Sequence, residues 1–330
     1  MWPSYFCDTP HIMTENAPDI GKATKVIRDG GLVAMPTETV YGLAADACND
    51  RAVAKIFEAK GRPQFNPLII HVTGADMARR YVSFPTLAEK LANHFWPGAL
   101  TIVLPRRKDS KVSRLVSAGL DTIAVRAPNH PTAQALIKLI DHPVAAPSAN
   151  RSGSISPTRP EHVRDSLGGN VDLILDGGPC TVGVESTIVK VDDDMVTLLR
   201  PGGITCEDIE RLLACPITIA DNTDKIEAPG MMASHYAPNA QIRLNVTKPK
   251  GDEAFLGFGT NMIDSAYALT LSADGDLQEA AANLFDCLHK LDNIAEKHAL
   301  NGIACAPIPK TGLGIAINDR LSRAAAPKGR

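Results

Sequence analysis

The segment DTIAVRAPNHPTAQALIKLIDHPVAAPSAN, residues 121–150, decides the fold class. Residues 121–128 are rich in apolar and β-branched side chains and predict a buried strand closed by Pro128. Residues 131–141 space their apolar side chains at helical intervals, and VAAPSAN (144–150) predicts a second strand. Strand, helix and strand in so short a stretch form the unit of an α/β sheet, whose helices must cover the apolar sheet faces.

The alternation continues in both directions. Upstream, a helix over 17–29 carries Ile20, Ala23, Val26 and Ile27 on one side, and strand GLVAMP (31–36) follows. A helix over 50–60, with Asp50 as its expected N-cap, leads to strand PLIIHV (67–72), a helix at 86–95 and strand ALTIVLP (99–105). Downstream come a helix near 160–167 and strand VDLILD (171–176). STIVKV (186–191) and MVTLLRPG (195–202) then pair about Asp192-Asp193-Asp194, before a helix at 206–214. That hairpin makes the sheet mixed.

Residues 220–239 lose all periodicity and contain Pro229, Gly230 and Pro238, so they read as a linker. Beyond them, strands at 254–259, 267–272 and 302–309 and helices at 276–298 and 314–326 predict a second, smaller α/β unit. The expected organisation is an N-terminal arm (1–16, disordered), an α/β domain (17–219), a linker (220–239) and a C-terminal domain (240–330).

With 44% hydrophobic and 22% charged residues, the 330-residue chain is globular, not disordered or fibrous. It has no apolar run of the ~18 residues a membrane helix needs, and no secretory leader pattern at its start. Seven scattered cysteines without a C-x-x-C pair argue against a disulfide framework and a cysteine zinc site. The chain therefore reads as cytoplasmic, with no membrane partner. The net charge of −3 hides a basic block: residues 51–138 hold fourteen Lys and Arg against five Asp and Glu. Such a block is either a solvated face or a surface for an anion such as a nucleotide or RNA.

The common signatures of nucleotide and hydrolytic chemistry are absent: no G-x-x-x-x-G-K-[ST], no G-x-G-x-x-G after a strand, no G-x-S-x-G and no H-E-x-x-H. Polar residues gather instead in loops at strand ends, where open α/β sheets bind ligands. PTETVYGL (36–43) offers the hydroxyls of Thr37 and Thr39. Lys60-Gly61-Arg62-Pro63, followed by Asn66 and His71, sets a point charge beside a planar fork. The pair either answers the helix dipole or binds a polyphosphate. PSANRSGSIS (147–156) is either a surface loop or a phosphate cradle. Thr122 and Arg126 share a strand face, and Glu185-Ser186-Thr187 and Arg200 are smaller signals.

Taken in order, PTETVYGLAADA, KGRP with NPLIIHV, PSANRSGSISPT, GVESTIV and LRPGGI resemble the YrdC/Sua5 family. PGMMASHYAP and GLGIAINDRLSRAA resemble its longer Sua5 form, so the likeness runs from about residue 17 to nearly the end. The resemblance implies a twisted open mixed sheet with helices and a basic concave face, plus a smaller Rossmann-like C-terminal domain. It also implies a threonylcarbamoyl-AMP synthase activity: L-threonine, bicarbonate and ATP, with Mg2+, give threonylcarbamoyl-AMP and pyrophosphate. A separate transferase would then modify adenosine 37 of ANN-decoding tRNAs, and the basic face would offer tRNA a docking surface.

Carried over by resemblance, Lys60, Arg62, Ser148 and Asn150 form a catalytic tetrad at the triphosphate. Asn66, Thr122, Ser156, Arg200 and Tyr236 join Lys60, Arg62 and Ser148 at the nucleotide. Thr37, Thr39, His71, Arg126, Ala146 and Ser186 hold threonine, with no protein metal ligand. His235 and Tyr236 belong to a segment expected to close over the site. A double-stranded RNA or tRNA-binding module without catalysis is the alternative. Carbamoyl transfer in hydrogenase maturation fits less well, because those relatives carry an acylphosphatase-like portion and cysteine zinc fingers that this chain lacks.

Overall fold

Helix α1 (Ile20–Arg28) opens the structure, a computed structural model describing residues 19–63, 66–192, 195–220, 229 and 235–327. The expected N-terminal arm lies outside the described residues, as does most of the linker. Strands β1 (Val33–Met35) and β2 (Gly42–Asp46), helix α2 (Asp50–Lys60), strand β3 (Ile69–His71) and helices α3 (Ala75–Ala78) and α4 (Thr86–Phe95) follow. Next come β4 (Leu100–Pro105), β5 (Thr122–Arg126), α5 (Pro131–Ile140), β6 (Val144–Ala145), α6 (Pro160–Leu167) and β7 (Leu173–Ile174). The hairpin β8 (Thr187–Asp192) and β9 (Met195–Arg200), helix α7 (Cys206–Leu213) and strand β10 (Thr218–Ile219) end the first unit.

These ten strands form one mixed sheet in the order β10-β9-β8-β4-β5-β3-β6-β2-β1-β7. The β4·β8 and β3·β5 pairs are parallel, whereas β4·β5, β3·β6 and β8·β9 are antiparallel. Alternation along the strands divides the two faces. Ile70, Ile102, Ile123, Val125 and Val189 point into the main core with the helices. Ile69, Val103, Ala124 and Ile188 form a small apolar cluster of their own. On that second face, at the same strand ends, stand His71 and Arg126.

The second unit comprises β11 (Ile242–Arg243), β12 (Glu253–Gly257), β13 (Ala268–Thr270), helix α8 (Leu277–Lys297), β14 (Gly302–Cys305) and helix α9 (Leu313–Ala325). Its four strands are all parallel, in the order β11-β14-β12-β13, as the Rossmann-like expectation requires. Val40, Ile155 and Val184 of the first unit are buried in its core beside Phe285, Leu288 and Ile317, so the two units share one hydrophobic cluster. Arg159 Nε donates to Asp286 Oδ1 at 2.9 Å across that junction, and the His162 and His289 rings stack 3.9 Å apart.

Two sequence expectations are corrected. Asn49, not Asp50, caps α2: its side chain accepts from the backbone N–H of Arg51 and Ala52, and Asp50 is already helical. The strand expected over 144–150 pairs regularly only at Val144–Ala145. Pro147 has no N–H to donate, and the carbonyls of Ser148 and Asn150 are taken by a lysine. β2, α3 and the two-residue strands β10 and β11 were not anticipated. No helix of the described residues is long and apolar enough to cross a membrane.

Candidate active site

The loop between β1 and β2 enters the site with its hydroxyls already organised. Thr37 Oγ1 donates to Val40 O at 2.6 Å and lies 2.9 Å from Thr39 Oγ1. Thr39 Oγ1 also accepts from Arg126 Nη1 at 2.8 Å. Arg126 Nη2 meets Glu38 Oε1 at 2.6 Å, and Nε reaches Gly98 O at 3.2 Å. The remaining Glu38 oxygen accepts from Asn129 N at 3.0 Å. Arg126 and Glu38 are both buried, so the pair fixes the guanidinium while leaving an N–H on each terminal nitrogen. Glu38 was missed as a site residue, although it sits inside the quoted PTETVYG stretch.

The four residues of the expected tetrad are brought together. Gly61 ends α2 in the left-handed conformation (φ 57), turning the chain between Lys60 and Arg62. Lys60 is buried and its Nζ donates to Ser148 O at 2.6 Å and to Asn150 O. The ammonium therefore clamps the 148–150 loop, and burial, followed by the nearby Arg62 charge, lowers its pKa well below the ordinary lysine value. Arg62 donates to Asn66 O at 3.3 Å and Pro67 O at 3.0 Å and lines the cavity. Burial brings its pKa down to about 10. Asn150 Nδ2 donates to Arg151 O and Ser154 O, whereas its buried Oδ1 has no partner among the described residues. That orphaned acceptor marks a position for a ligand donor.

A single cavity is lined by Thr37, Thr39, Arg62, His71, Arg126, Ala146, Ser148, Ser186, Arg200, His235 and Tyr236, together with Pro229 and Glu185. Ser186 Oγ lies 2.7 Å from Thr101 Oγ1, and Arg200 reaches Ser186 O at 2.9 Å and Pro229 O at 3.2 Å. His71 and His235 are each pushed down to about 3, foremost by burial. Neighbouring cations add to this: Arg126 at His71, and Arg62, Lys60 and Arg200 at His235. Both rings are therefore neutral at pH 7 and serve as hydrogen-bonding groups, and each has an unpartnered Nδ1 among the described residues.

Some expected residues stand outside the lining. Lys60, Asn66, Asn150 and Ser156 are buried and bonded to, or beside, residues that form the wall. Thr122 opens β5 at the end away from Arg126, opposite Pro105, and does not line the cavity. Glu185, the carboxylate among the lining residues, is committed to Arg320, and Glu38, outside the lining, is committed to Arg126. The described lining residues thus offer no free carboxylate to a divalent cation. Asp46, Cys48 and His142 do bring potential ligand atoms within 4.8 Å of one another, but at the opposite end of β2. Of the basic block, Lys60, Arg62 and Arg126 are buried at the site, whereas Arg79, Arg80, Arg107 and Arg114 pair with surface carboxylates.

Two family models match the chain consecutively. Residues 25–202 match the Sua5/YciO/YrdC model, described as telomere recombination. Residues 204–326 match the model described as threonylcarbamoyl-AMP synthase, C-terminal domain. The chain belongs to the Sua5 family. Among Sua5 relatives, the threonylcarbamoyl-AMP synthase of Bacillus subtilis is 40% identical over 97% of each chain. That of Pyrococcus abyssi is 40% identical over 92% of each. The crystal structure of P. abyssi Sua5 complexed with L-threonine superposes with a TM-score of 0.84 at 39% identity, covering 93% of this chain and 94% of that one. Escherichia coli YciO (27% identical, TM-score 0.51) covers 56% of this chain, and 93% of its own length is matched.

Proposed function

We propose that this chain is a threonylcarbamoyl-AMP synthase, converting L-threonine, bicarbonate and ATP to threonylcarbamoyl-AMP and pyrophosphate. One observation carries the reading: a buried arginine fork, Arg126, and a neutral His71 share a single cavity with the cations Arg62 and Arg200. That is the arrangement an amino acid beside a polyphosphate needs. The P. abyssi relative crystallised with L-threonine supports the amino-acid end.

In this mechanism Arg126 receives the threonine carboxylate, with Thr37, Thr39, Ser186 and the Ala146 backbone around the rest of the molecule. The threonine nitrogen attacks the carbon of CO2 and loses a proton, or attacks that of bicarbonate with cleavage of a C–O bond and loss of water, to give a carbamate. A carbamate oxygen then attacks the α-phosphorus of ATP, and the bond to the bridging oxygen breaks, releasing pyrophosphate. Such a displacement needs alignment and charge neutralisation more than a protein nucleophile. Arg62, Lys60 and Arg200 supply the positive charge, and Asn150 Oδ1 and Ser148 orient the reacting groups. With Glu185 committed to Arg320, Mg2+ carried by ATP would be held chiefly by the nucleotide and would supply further charge neutralisation at the phosphates. Tyr236 and His235, buried against the cavity, keep water from a labile mixed anhydride. The product must pass to a transferase acting on tRNA, and direct tRNA contact with the chain is part of the same proposal.

The test is pyrophosphate release from the purified chain with MgATP, omitting L-threonine and bicarbonate in turn. Release that requires both supports the synthase; none from folded, ATP-binding protein refutes it and favours a binding module.

A further inference from the structure

Arg320 is wholly buried, and it comes from α9 of the second unit. Its Nε donates to Glu185 Oε2 at 2.6 Å, its Nη2 to Pro201 O at 3.0 Å and its Nη1 to Asp319 Oδ2 at 2.6 Å. Glu185 and Pro201 are the chain neighbours of Ser186 and Arg200, so one guanidinium grips both strands of the cavity wall. The wall is tight there: a Cβ on Gly202 would stand 2.3 Å from Glu185 O. Glu185 Oε1 accepts from Ser156 Oγ at 2.6 Å.

The chemistry of the cavity gives this grip a purpose beyond fastening two units. Glu185 is a carboxylate in the wall of a site built for anions. Burial alone would raise its pKa, but the charges of Arg320 and Arg200 overcome this and hold it below the ordinary value, so it remains charged. Arg200 feels that charge, yet its hydrogen bonds among the described residues go to Ser186 and Pro229. Without Arg320, Arg200 would be the remaining cation whose charge acts on the Glu185 carboxylate, which would draw it out of the cavity.

We propose that Arg320 is a positioning residue of the active site, which occupies the Glu185 carboxylate and so keeps Arg200 available to the anionic substrate. The proposal rests on Arg200 facing ATP, as in the synthase reading. It makes the catalytic cavity of the first unit depend on one side chain of the second. A latch that only fastens the units would give a different pattern of substitutions, because for a latch Glu185 is a partner and for charge shielding it is the hazard.

The experiment is calorimetric titration of the full chain with MgATP, and separately with L-threonine, in Arg320→Gln, Glu185→Gln and the double variant. Charge shielding predicts that R320Q weakens ATP binding about tenfold or more, that E185Q binds ATP at least as tightly as wild type, and that the double variant recovers to within about threefold. Threonine affinity should change by less than about threefold throughout. E185Q weakening ATP about tenfold, or a double variant as weak as R320Q, would overturn the proposal in favour of a latch. If R320Q does not fold, the E185Q result decides alone, since the two readings give it opposite signs. Wild type without affinity for ATP would instead sink the synthase reading, and this proposal with it.

Discussion

Replacing Lys60 by methionine tests whether the 148–150 loop is held by one buried ammonium. Methionine fills the space of the aliphatic stem but leaves the carbonyls of Ser148 and Asn150 without their donor. Each buried acceptor left unpaired costs about 1–3 kcal/mol, so the gross loss is about 2–6 kcal/mol. Part is returned, because the ammonium is fully buried, as its lowered pKa reflects, and its desolvation is no longer required. A net local destabilisation of about 2–3 kcal/mol follows, equivalent to roughly 30- to 150-fold more frequent opening of the loop. Amide hydrogen exchange reads this directly. Ala149 N, bonded to Tyr41 O at 2.8 Å, and Ser152 N, bonded to Lys60 O at 2.8 Å, should exchange faster by that factor. Amides of α4, which packs on β4, should keep their rates. Pyrophosphate release should fall by at least the same factor. Unaltered exchange at Ala149 and Ser152 would show that the lysine does not hold the loop and would refute the reasoning.

Arg126→Gln should destabilise the first unit by about 3–5 kcal/mol, because Glu38 stays buried without its cation. Glu38→Gln with Arg126→Gln should recover most of that in urea unfolding while binding L-threonine no better than the single variant; a threonine-binding double variant would remove Arg126 from its role. His71, His162 and His235 are each pushed down to about 3, chiefly by burial. Between that value and the ordinary 6.5, the unfolded chain binds more protons than the folded one. Their stabilising contribution is thus complete above about 6.5 and declines as pH falls toward 3. Thermal melts from pH 7 to pH 4 should show the decline, with a shallower slope in His162→Gln; equal slopes would contradict it. Gly61→Ala should cost about 1–2 kcal/mol, because φ 57 disfavours a side chain. No atom lies within 4 Å of the added Cβ, so the loss is purely backbone, and a neutral result in denaturant unfolding would exclude it.

Much of this molecule is readable from its chain. Helices over 50–60, 86–95 and 160–167 fall where apolar spacing puts them, since each buries one stripe against a sheet and ends at Gly61, Trp96-Pro97 or Gly168. The site residues were visible as polar groups at strand ends, where neither core packing nor a regular ladder explains a buried threonine, histidine or arginine. β2 escaped because GLAAD has no β-branched residue, and its strand character comes from being paired on both sides, by β1 and by β6. β10 and β11 are two residues each, too short for any period to register.

What the sequence by itself determined was composition-level and local: two α/β units, their order, and the polar loops at strand ends. Tertiary structure alone decided which charges cancel. Glu38 neutralises Arg126 across 88 positions, and Glu185 is met by Arg320 across 135. The physical reason is that a charge in a loop is indifferent to its neighbours while solvated and strongly coupled to them once buried. Only the packing of α9 against Glu185 and Pro201, which flank the β8–β9 hairpin, removes the water between Glu185 and Arg320.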